Sequence, residues 1–338
     1  MAYTTINKST EHFNTKLYEG NGSTNAITGV GFQPDLTWIK NRTDVSNHNL
    51  YDAVRGTSAG KLKSNTTNAE SYNASDLSTF GTDGFTVGGN NEVNGSSDNM
   101  VSWNWKAGGA VSGNTTGSGT SKSYTGSINS TAKFSIIRYQ GNGTAGHTIP
   151  HRLSTTPAMI IVKNISASWN WSVYHKDAFT SQSSPGVLYL NTTAAKANDT
   201  NVWGNSTVTI NSTVFSLGDY QGTNNNNDYF IAYCFAEKTG YSKFGSYTGN
   251  GSSDGTFVYT GFKPAWVLYK RTDSGADWHM YDNKRDVDNA VDKTLFPSGN
   301  YAESAGDALD FTSNGFKQRN TGAEANANGG TYIYMAFA

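Results

Sequence analysis

The sequence predicts an all-β chain made of three tandem, related antiparallel β-sandwich domains. A set of landmarks recurs three times along the 338 residues, always in the same order. Runs rich in Val, Ile, Thr, Tyr, Phe and Trp alternate with clusters of Gly, Asn, Asp and Ser, and no stretch keeps an apolar 3.6-residue period for three turns. A repeat of about 100 residues is far longer than a solenoid repeat and has the size of a two-sheet sandwich.

The repeated landmarks place equivalent turns and strands in each copy. A Gly-Asn-Gly turn stands at residues 20–22, 141–143 and 249–251. A turn proline and then an apolar run that ends in lysine follow each time: Pro34 with Lys40, Pro157 with Lys163, and Pro264 with Lys270. Each copy closes on an alternating strand, Met100 to Trp105, Tyr229 to Phe235 and Tyr332 to Phe337, and in the last two large residues occupy both faces. Such strands are expected at the centre of a sheet that is covered on both sides.

The landmarks divide the chain into three repeats and two further segments. We predict an N-terminal arm at 1–12, repeats at 13–107, 133–238 and 239–338, and a Gly/Ser/Thr-rich linker at 108–132. The linker is expected either to be a flexible tether or, as we favour, to pair as an extra edge strand through residues 123–128. Since the arm belongs to no repeat, we expect it to dock on another subunit.

Composition predicts a neutral, polar surface. Hydrophobic residues make up 36% of the chain and charged residues 15%, with a net charge of -1. Binding to a phosphate backbone requires a basic patch, and no Lys/Arg cluster here exceeds a few residues. Nucleic acid is therefore excluded as an expected partner.

The single cysteine and the first residues of the chain bear on its cellular compartment. Cys234 lies in a predicted central strand, so we expect a small buried residue and no intrachain disulfide. Residues 1–9 have neither a charged segment nor an apolar segment of a secretory signal, and nowhere do 18 apolar residues run together. The sequence predicts neither Sec export nor a membrane partner.

Signatures of common chemistries are weak. The glycines at 141, 143 and 146 match a dinucleotide fingerprint by letter, but a proline-containing strand follows instead of a helix. His147 and His151 have the spacing of metal ligands on a helix, which Gly146 and Pro150 make implausible. We therefore predict no catalytic residues, no cofactor and no metal site.

Two groups of acidic residues leave calcium binding and glycoside cleavage open as alternatives. The loops at 224–228 and 273–277 offer the oxygen ligands that calcium prefers, although neither matches the twelve-residue calcium loop. Asp282, Asp286 and Asp288 contain pairs that glycoside cleavage could use, but the sequence does not give their separation.

The tryptophans divide into core and surface groups. Those at matched repeat positions or in a closing strand, and one matched phenylalanine, are predicted to be buried: Trp38, Trp103, Trp105, Trp266 and Phe85. Trp169 and Trp203 fall in loops of the second repeat that have no counterpart elsewhere. They are the predicted ligand contacts.

The landmark sequences also carry a family resemblance. The segments at 13–22, 31–42 and 50–56, with the related segments at 149–153, 160–164, 243–251 and 332–338, resemble the repeat of uncharacterised virion surface proteins of marine bacteriophages such as cyanophages. The resemblance covers nearly the whole chain. It implies lectin-like, jelly-roll units in a tail-fibre-like or capsid-surface protein, and it transfers no catalytic or binding residues.

We therefore expect a non-enzymatic virion structural protein, either a capsid decoration or a tail fibre component. It would be assembled in the host cytoplasm as a homo-oligomer, contact other virion proteins and be exposed on the particle surface. The alternative is an adhesin that binds host surface glycan, or, less favoured, a polysaccharide depolymerase.

Overall fold

The computed structural model describes residues 4–179, 181, 185–205 and 207–338. Within them the chain forms six sheets of antiparallel strands, and its helices are limited to a 3-10 turn and four single-turn α-helices. The all-β prediction is confirmed. No helix among these residues has the length and apolarity needed to cross a bilayer.

The first unit contains strands β1 to β8. Their bounds are β1 (Phe13–Glu19), β2 (Asn25–Thr28), β3 (Leu36–Asn41), β4 (Asn49–Asp52), β5 (Leu62–Lys63), β6 (Leu77–Gly81), β7 (Gly84–Val87) and β8 (Asn99–Trp105), with the 3-10 turn at Ser9–Glu11 and α1 at Asn91–Asn94. The larger sheet has the order β1-β8-β3-β4-β5, and the smaller sheet β2-β7-β6.

The second unit contains strands β9 to β19. Their bounds are β9 (Gly109–Asn114), β10 (Thr116–Gly117), β11 (Ser123–Asn129), β12 (Phe134–Gln140), β13 (His147–Pro150), β14 (Met159–Asn164), β15 (Ser172–His175), β16 (Gly186–Tyr189), β17 (Ala197–Asn198), β18 (Val214–Leu217) and β19 (Tyr229–Phe235), with α2 at Thr200–Trp203 and α3 at Gln221–Asn224. The larger sheet has the order β17-β16-β15-β14-β19-β12-β11-β9, and the smaller β10-β13-β18.

The third unit contains strands β20 to β27. Their bounds are β20 (Ser242–Thr248), β21 (Phe257–Tyr259), β22 (Trp266–Arg271), β23 (Trp278–Asp282), β24 (Val291–Thr294), β25 (Ser304–Thr312), β26 (Gly315–Gln318) and β27 (Thr331–Phe337), with α4 at Ala323–Asn326. The sheets have the orders β20-β27-β22-β23 and β21-β26-β25-β24.

The three units share a strand order. The larger sheets contain the matching series β1-β8-β3-β4, β12-β19-β14-β15 and β20-β27-β22-β23, and the smaller sheets contain β2-β7, β13-β18 and β21-β26. Each unit is a two-sheet sandwich with its own inner core. The finer description as a lectin-like jelly roll stays a prediction.

The outer faces of the three larger sheets pack on one common core. Trp105, Phe235 and Phe337 end the equivalent strands β8, β19 and β27. Their ring centroids form a triangle with sides of 6.3, 5.9 and 6.1 Å. The three units are therefore arranged about a pseudo-threefold axis, and the buried cluster around it takes residues from all three.

The predicted core residues lie where the sequence places them. Trp38, Trp103, Trp105, Trp266 and Phe85 are all buried. Cys234 is a free, buried cysteine in β19, and burial raises the pKa of its thiol.

The linker and the described part of the arm belong to the same body. Strand β11 pairs with β12, so residues 123–128 join the larger sheet as an extra strand, but β9 pairs on its other side and forms the edge. Ile6 is buried in the common core, and the His12 carbonyl accepts a hydrogen bond from Lys106 N at 2.9 Å. Residues 4–12 thus lie against their own chain, with the apolar Ile6 side chain buried, and docking of the arm on another subunit stays a prediction. Residues 1–3 lie outside the described residues.

The repeated Gly-Asn-Gly turn is held by a buried asparagine at the end of a single-turn helix. In the third unit, Asn326 Oδ1 accepts a hydrogen bond from Asn250 N at 3.0 Å, and its Nδ2 donates to two backbone carbonyls at 2.8 and 2.9 Å. Asn94 and Asn224 make the same bond to the turn in the other units, also at 3.0 Å. The turn must begin with glycine because a Cβ on Gly249 would lie 2.3 Å from a backbone oxygen.

Replacing Asn326 with alanine is expected to lower the free energy of unfolding by about 2 to 4 kcal/mol. The substitution leaves a partly buried N–H and two partly buried carbonyl groups without their partner. Urea denaturation of Asn326→Ala and of the exposed control Asn328→Ala tests this. The control should change stability by less than about 0.5 kcal/mol, and equal effects of the two changes would contradict the assigned role of Asn326.

Candidate functional site

The junctions between units repeat around the pseudo-threefold axis. Each pair of units has, among its contacts, a backbone hydrogen bond at an equivalent place: Glu70 N to Ile165 O at 3.3 Å, Lys196 N to Thr272 O at 2.9 Å, and Glu303 N to Arg42 O at 2.9 Å. The series runs from the first unit to the second, to the third and back to the first. The three junctions therefore form a closed ring.

A buried acidic group lies at two of these junctions. Asp282 Oδ2 accepts hydrogen bonds from Arg285 Nε at 2.6 Å and, across the junction, from Trp103 Nε1 at 3.0 Å. At the equivalent place in the first unit, Asp52 Oδ2 accepts from Arg55 Nε at 2.6 Å and from Tyr233 OH of the second unit at 2.9 Å. A buried carboxylate is tolerated when it is both paired and hydrogen-bonded, as here.

The second unit uses histidine at this position. His175 Nε2 lies 3.2 Å from the carbonyl oxygen of Tyr334 in the third unit. Because a carbonyl can only accept, Nε2 carries the proton. Burial lowers the pKa of His175 to about 4, so the ring is neutral at pH 7. All three junction positions thus carry a polar side chain bonded to the neighbouring unit.

The three carboxylates considered for glycoside cleavage have different surroundings. Asp282 is fully buried at its junction. Asp286 accepts hydrogen bonds from the backbone N–H groups of Asp292 and Lys293, at 2.9 and 2.7 Å. Asp288 is exposed. Asp282 therefore cannot form a surface pair with Asp288.

The two tryptophans predicted to contact a ligand have different surroundings. Trp203 is 0% exposed and packs edge-on against Tyr174, with ring centroids 6.0 Å apart. Trp203 lies in the inner core of the second unit, so the prediction that it contacts a ligand at the surface is wrong. It ends a short helix that Asp199 caps, and that capping residue was the signal in the sequence that Trp203 does not lie in an open loop. Trp169 is half-buried against Tyr220, at 5.5 Å, and stays a predicted contact.

An exposed aromatic pair that the sequence predictions missed lies on β21. Phe257 and Tyr259 are 46% and 61% exposed, while Val258 between them is buried. The matching outward positions are Ala26 and Thr28 in the first unit, and Thr148 and Pro150 in the second. The fold therefore does not require aromatic rings there. The sequence contained a signal for this pair: in a strand, Phe257 and Tyr259 point to one face and Val258 to the other, so burial of Val258 leaves both rings on the outer face.

Charged side chains flank the aromatic pair. Lys317 lies opposite Phe257 in the sheet and pairs with Asp254, and Arg319 pairs with Asp310. These four charges sum to zero. The surface combines exposed rings with paired donors and acceptors, and it has no excess charge of its own.

The lysine that ends each landmark strand is buried at a junction. Lys40, Lys163 and Lys270 are all inaccessible, and each ammonium donates to the carbonyl of the next residue, at 2.6, 2.8 and 2.7 Å. Lys163 also donates across to the Thr67 carbonyl of the first unit at 3.1 Å. Burial lowers the pKa of Lys163 to about 7, and those of Lys40 and Lys270 to about 8.

A family model matches residues 8–338. The chain belongs to the DUF7483 family, a domain of unknown function. The DUF7483 match starts inside the N-terminal arm and continues through all three units. No curated protein and no solved structure matches the chain.

The DUF7483 domain should become more stable between pH 7 and pH 9. Below pH 7 Lys163 is charged in the folded and unfolded states, so the full cost of burying the charge applies. Above pH 7 the unfolded chain, with an ordinary lysine pKa near 10.5, binds more protons, so the free energy of unfolding rises with pH. Lys163 alone is expected to raise the free energy of unfolding by about 1 kcal/mol per pH unit in this range.

Lys163→Met should reduce that rise. Urea denaturation at pH 6, 7, 8 and 9 measures the slope, and the exposed Lys8→Met should keep the slope of the wild type. A Lys163→Met profile parallel to the wild-type profile would show that the ammonium keeps its ordinary pKa in the folded state.

Proposed function

We propose that this DUF7483 chain is a non-enzymatic structural protein of a bacteriophage virion, exposed on the particle surface as a capsid decoration or tail fibre component. In this role it forms a homo-oligomer and contacts other virion proteins. The resemblance of its landmark repeats to virion surface proteins of marine phages supports the proposal.

The pseudo-threefold body is the observation that carries the proposal. The triangle of Trp105, Phe235 and Phe337 joins the three units through one core, and the junction bonds close them into a ring. Its most buried carboxylates, Asp52 and Asp282, hold neighbouring units together. A compact β body with few loose connections suits a part that must keep its shape outside the cell.

Purified particles test the virion assignment. Particles of the phage that encodes the chain would be banded twice on a density gradient and analysed by quantitative mass spectrometry, before and after treatment of intact particles with protease. We expect the chain to co-purify with the major capsid protein, to be labelled by antibody on intact particles, and to be accessible to protease while an internal protein is not. Absence from the banded particles would overturn the proposal.

The exposed aromatic pair favours a second candidate, an adhesin for host surface glycan. Two rings two residues apart on one strand are about 7 Å apart, which places them to stack on neighbouring sugars of one chain. The paired charges beside them offer hydrogen bonds without selecting a charged ligand.

Glycan-array binding tests the adhesin candidate. The double variant Phe257→Ala/Tyr259→Ala should lose at least about tenfold in affinity, since each stacked ring contributes on the order of 1 kcal/mol. Tyr72→Ala removes an exposed ring of the first unit and serves as the matched control. Undiminished binding by the double variant would reject this surface as the glycan site.

A further inference from the structure

The third unit contains a cluster of three metal-ligating side chains. His279 on β23, Asp307 on β25 and Glu324 on α4 place one potential ligand atom each within 4.8 Å of one another. His279 Nε2 lies 3.0 Å from Glu324 Oε2. The histidine ring is fully buried and stacked on Tyr269, and its Nδ1 has no hydrogen-bond partner. The Glu324 side chain is 44% exposed, which gives the cluster access to solvent.

The first unit holds a cation at the corresponding place. Glu92 occupies the position in α1 that Glu324 occupies in α4, two residues before the turn-holding asparagine. Lys61 Nζ lies 2.6 Å from Glu92 Oε2 and 3.3 Å from Asp76 Oδ1. In that unit an ammonium group therefore bridges two carboxylates.

The third unit lacks that ammonium group. Lys61 pairs with Ser71 as Thr294 pairs with Ser304, so Thr294 is the counterpart of Lys61. Thr294 is buried and uncharged, and its hydroxyl donates to backbone carbonyls. Glu324 remains in the third unit with Asp307 close to it, while the lysine that contacts its first-unit counterpart Glu92 is gone.

The third unit also differs from the first by an imidazole on its larger sheet. His279 lies on β23 opposite Tyr269, and the equivalent strand position of the first unit holds Asn49. The third unit thus has an imidazole, a ligand group for transition metals, where the first unit has an amide, and it lies next to a glutamate whose first-unit counterpart contacts a lysine.

We propose that His279, Asp307 and Glu324 bind a divalent transition-metal ion, preferentially Zn²⁺, where the first unit uses the charge of Lys61. One imidazole and two carboxylates make a mixed nitrogen and oxygen ligand set suited to zinc, and water completes the coordination. The ion would join β23, β25 and α4, which lie far apart in sequence. Its role is therefore to stabilise the third unit.

Zinc titration of the full chain tests the site. After treatment with EDTA and buffer exchange, isothermal titration calorimetry should show one Zn²⁺ bound per chain, and thermal melting should shift upward with Zn²⁺. Mg²⁺ and Ca²⁺ at the same concentrations should give smaller shifts, because imidazole is a poor ligand for them. No zinc-dependent heat or melting shift in the wild type would overturn the proposal and leave a His279–Glu324 hydrogen bond only.

Variants separate this site from adventitious binding. Thr294→Lys introduces the lysine of the first unit and should abolish zinc binding, while His279→Asn introduces the first unit's asparagine and should do the same. Glu324→Gln changes a partly exposed side chain, so the fold should persist while zinc affinity falls at least about tenfold. His12→Asn, outside the cluster, should bind zinc as the wild type does. Wild-type affinity in Glu324→Gln would overturn the assignment even if the two buried variants failed to fold.

Discussion

The packing of three larger sheets on one aromatic core is the constraint on which the rest of the structure depends. Both faces of each closing strand are buried, and a two-sheet sandwich can bury only one of those faces. Trp105, Phe235 and Phe337 lie on the other face, where they meet one another. A single unit would expose this apolar face to water, at a cost that scales with its area. The common core therefore couples the folding of all three units.

Buried polar groups then fix how the units meet. Apolar packing has little directionality, whereas the bonds of Trp103 to Asp282 and of Tyr233 to Asp52 require particular positions and angles. Each junction aspartate is compensated by an arginine three residues later, which offsets the loss of its hydration. The aromatic core contributes apolar burial, and these bonds select one arrangement of the units.

The differences among the units point to function more clearly than their similarities. Gly249, Asn326 and Lys270 have counterparts in all units and are explained by the turn and the junction that they build. Phe257, Tyr259 and His279 have no such counterparts, and the fold places them at an outer face and in an acidic cluster. Side chains that the repeated fold does not require are those free to bind a ligand.

The sequence by itself determined the β-rich character, the landmark strands and the buried tryptophans of the repeats, and it favoured a paired strand in the linker. These follow from local patterns, because alternation, turn glycines and repeat position are encoded within a few residues. Only the tertiary structure decided that the units share a core, that Trp203 is buried, that Ile6 anchors the arm, and that His279, Asp307 and Glu324 meet. Those outcomes depend on contacts between residues far apart in sequence. Loop length and composition do not specify which distant surface a side chain will reach.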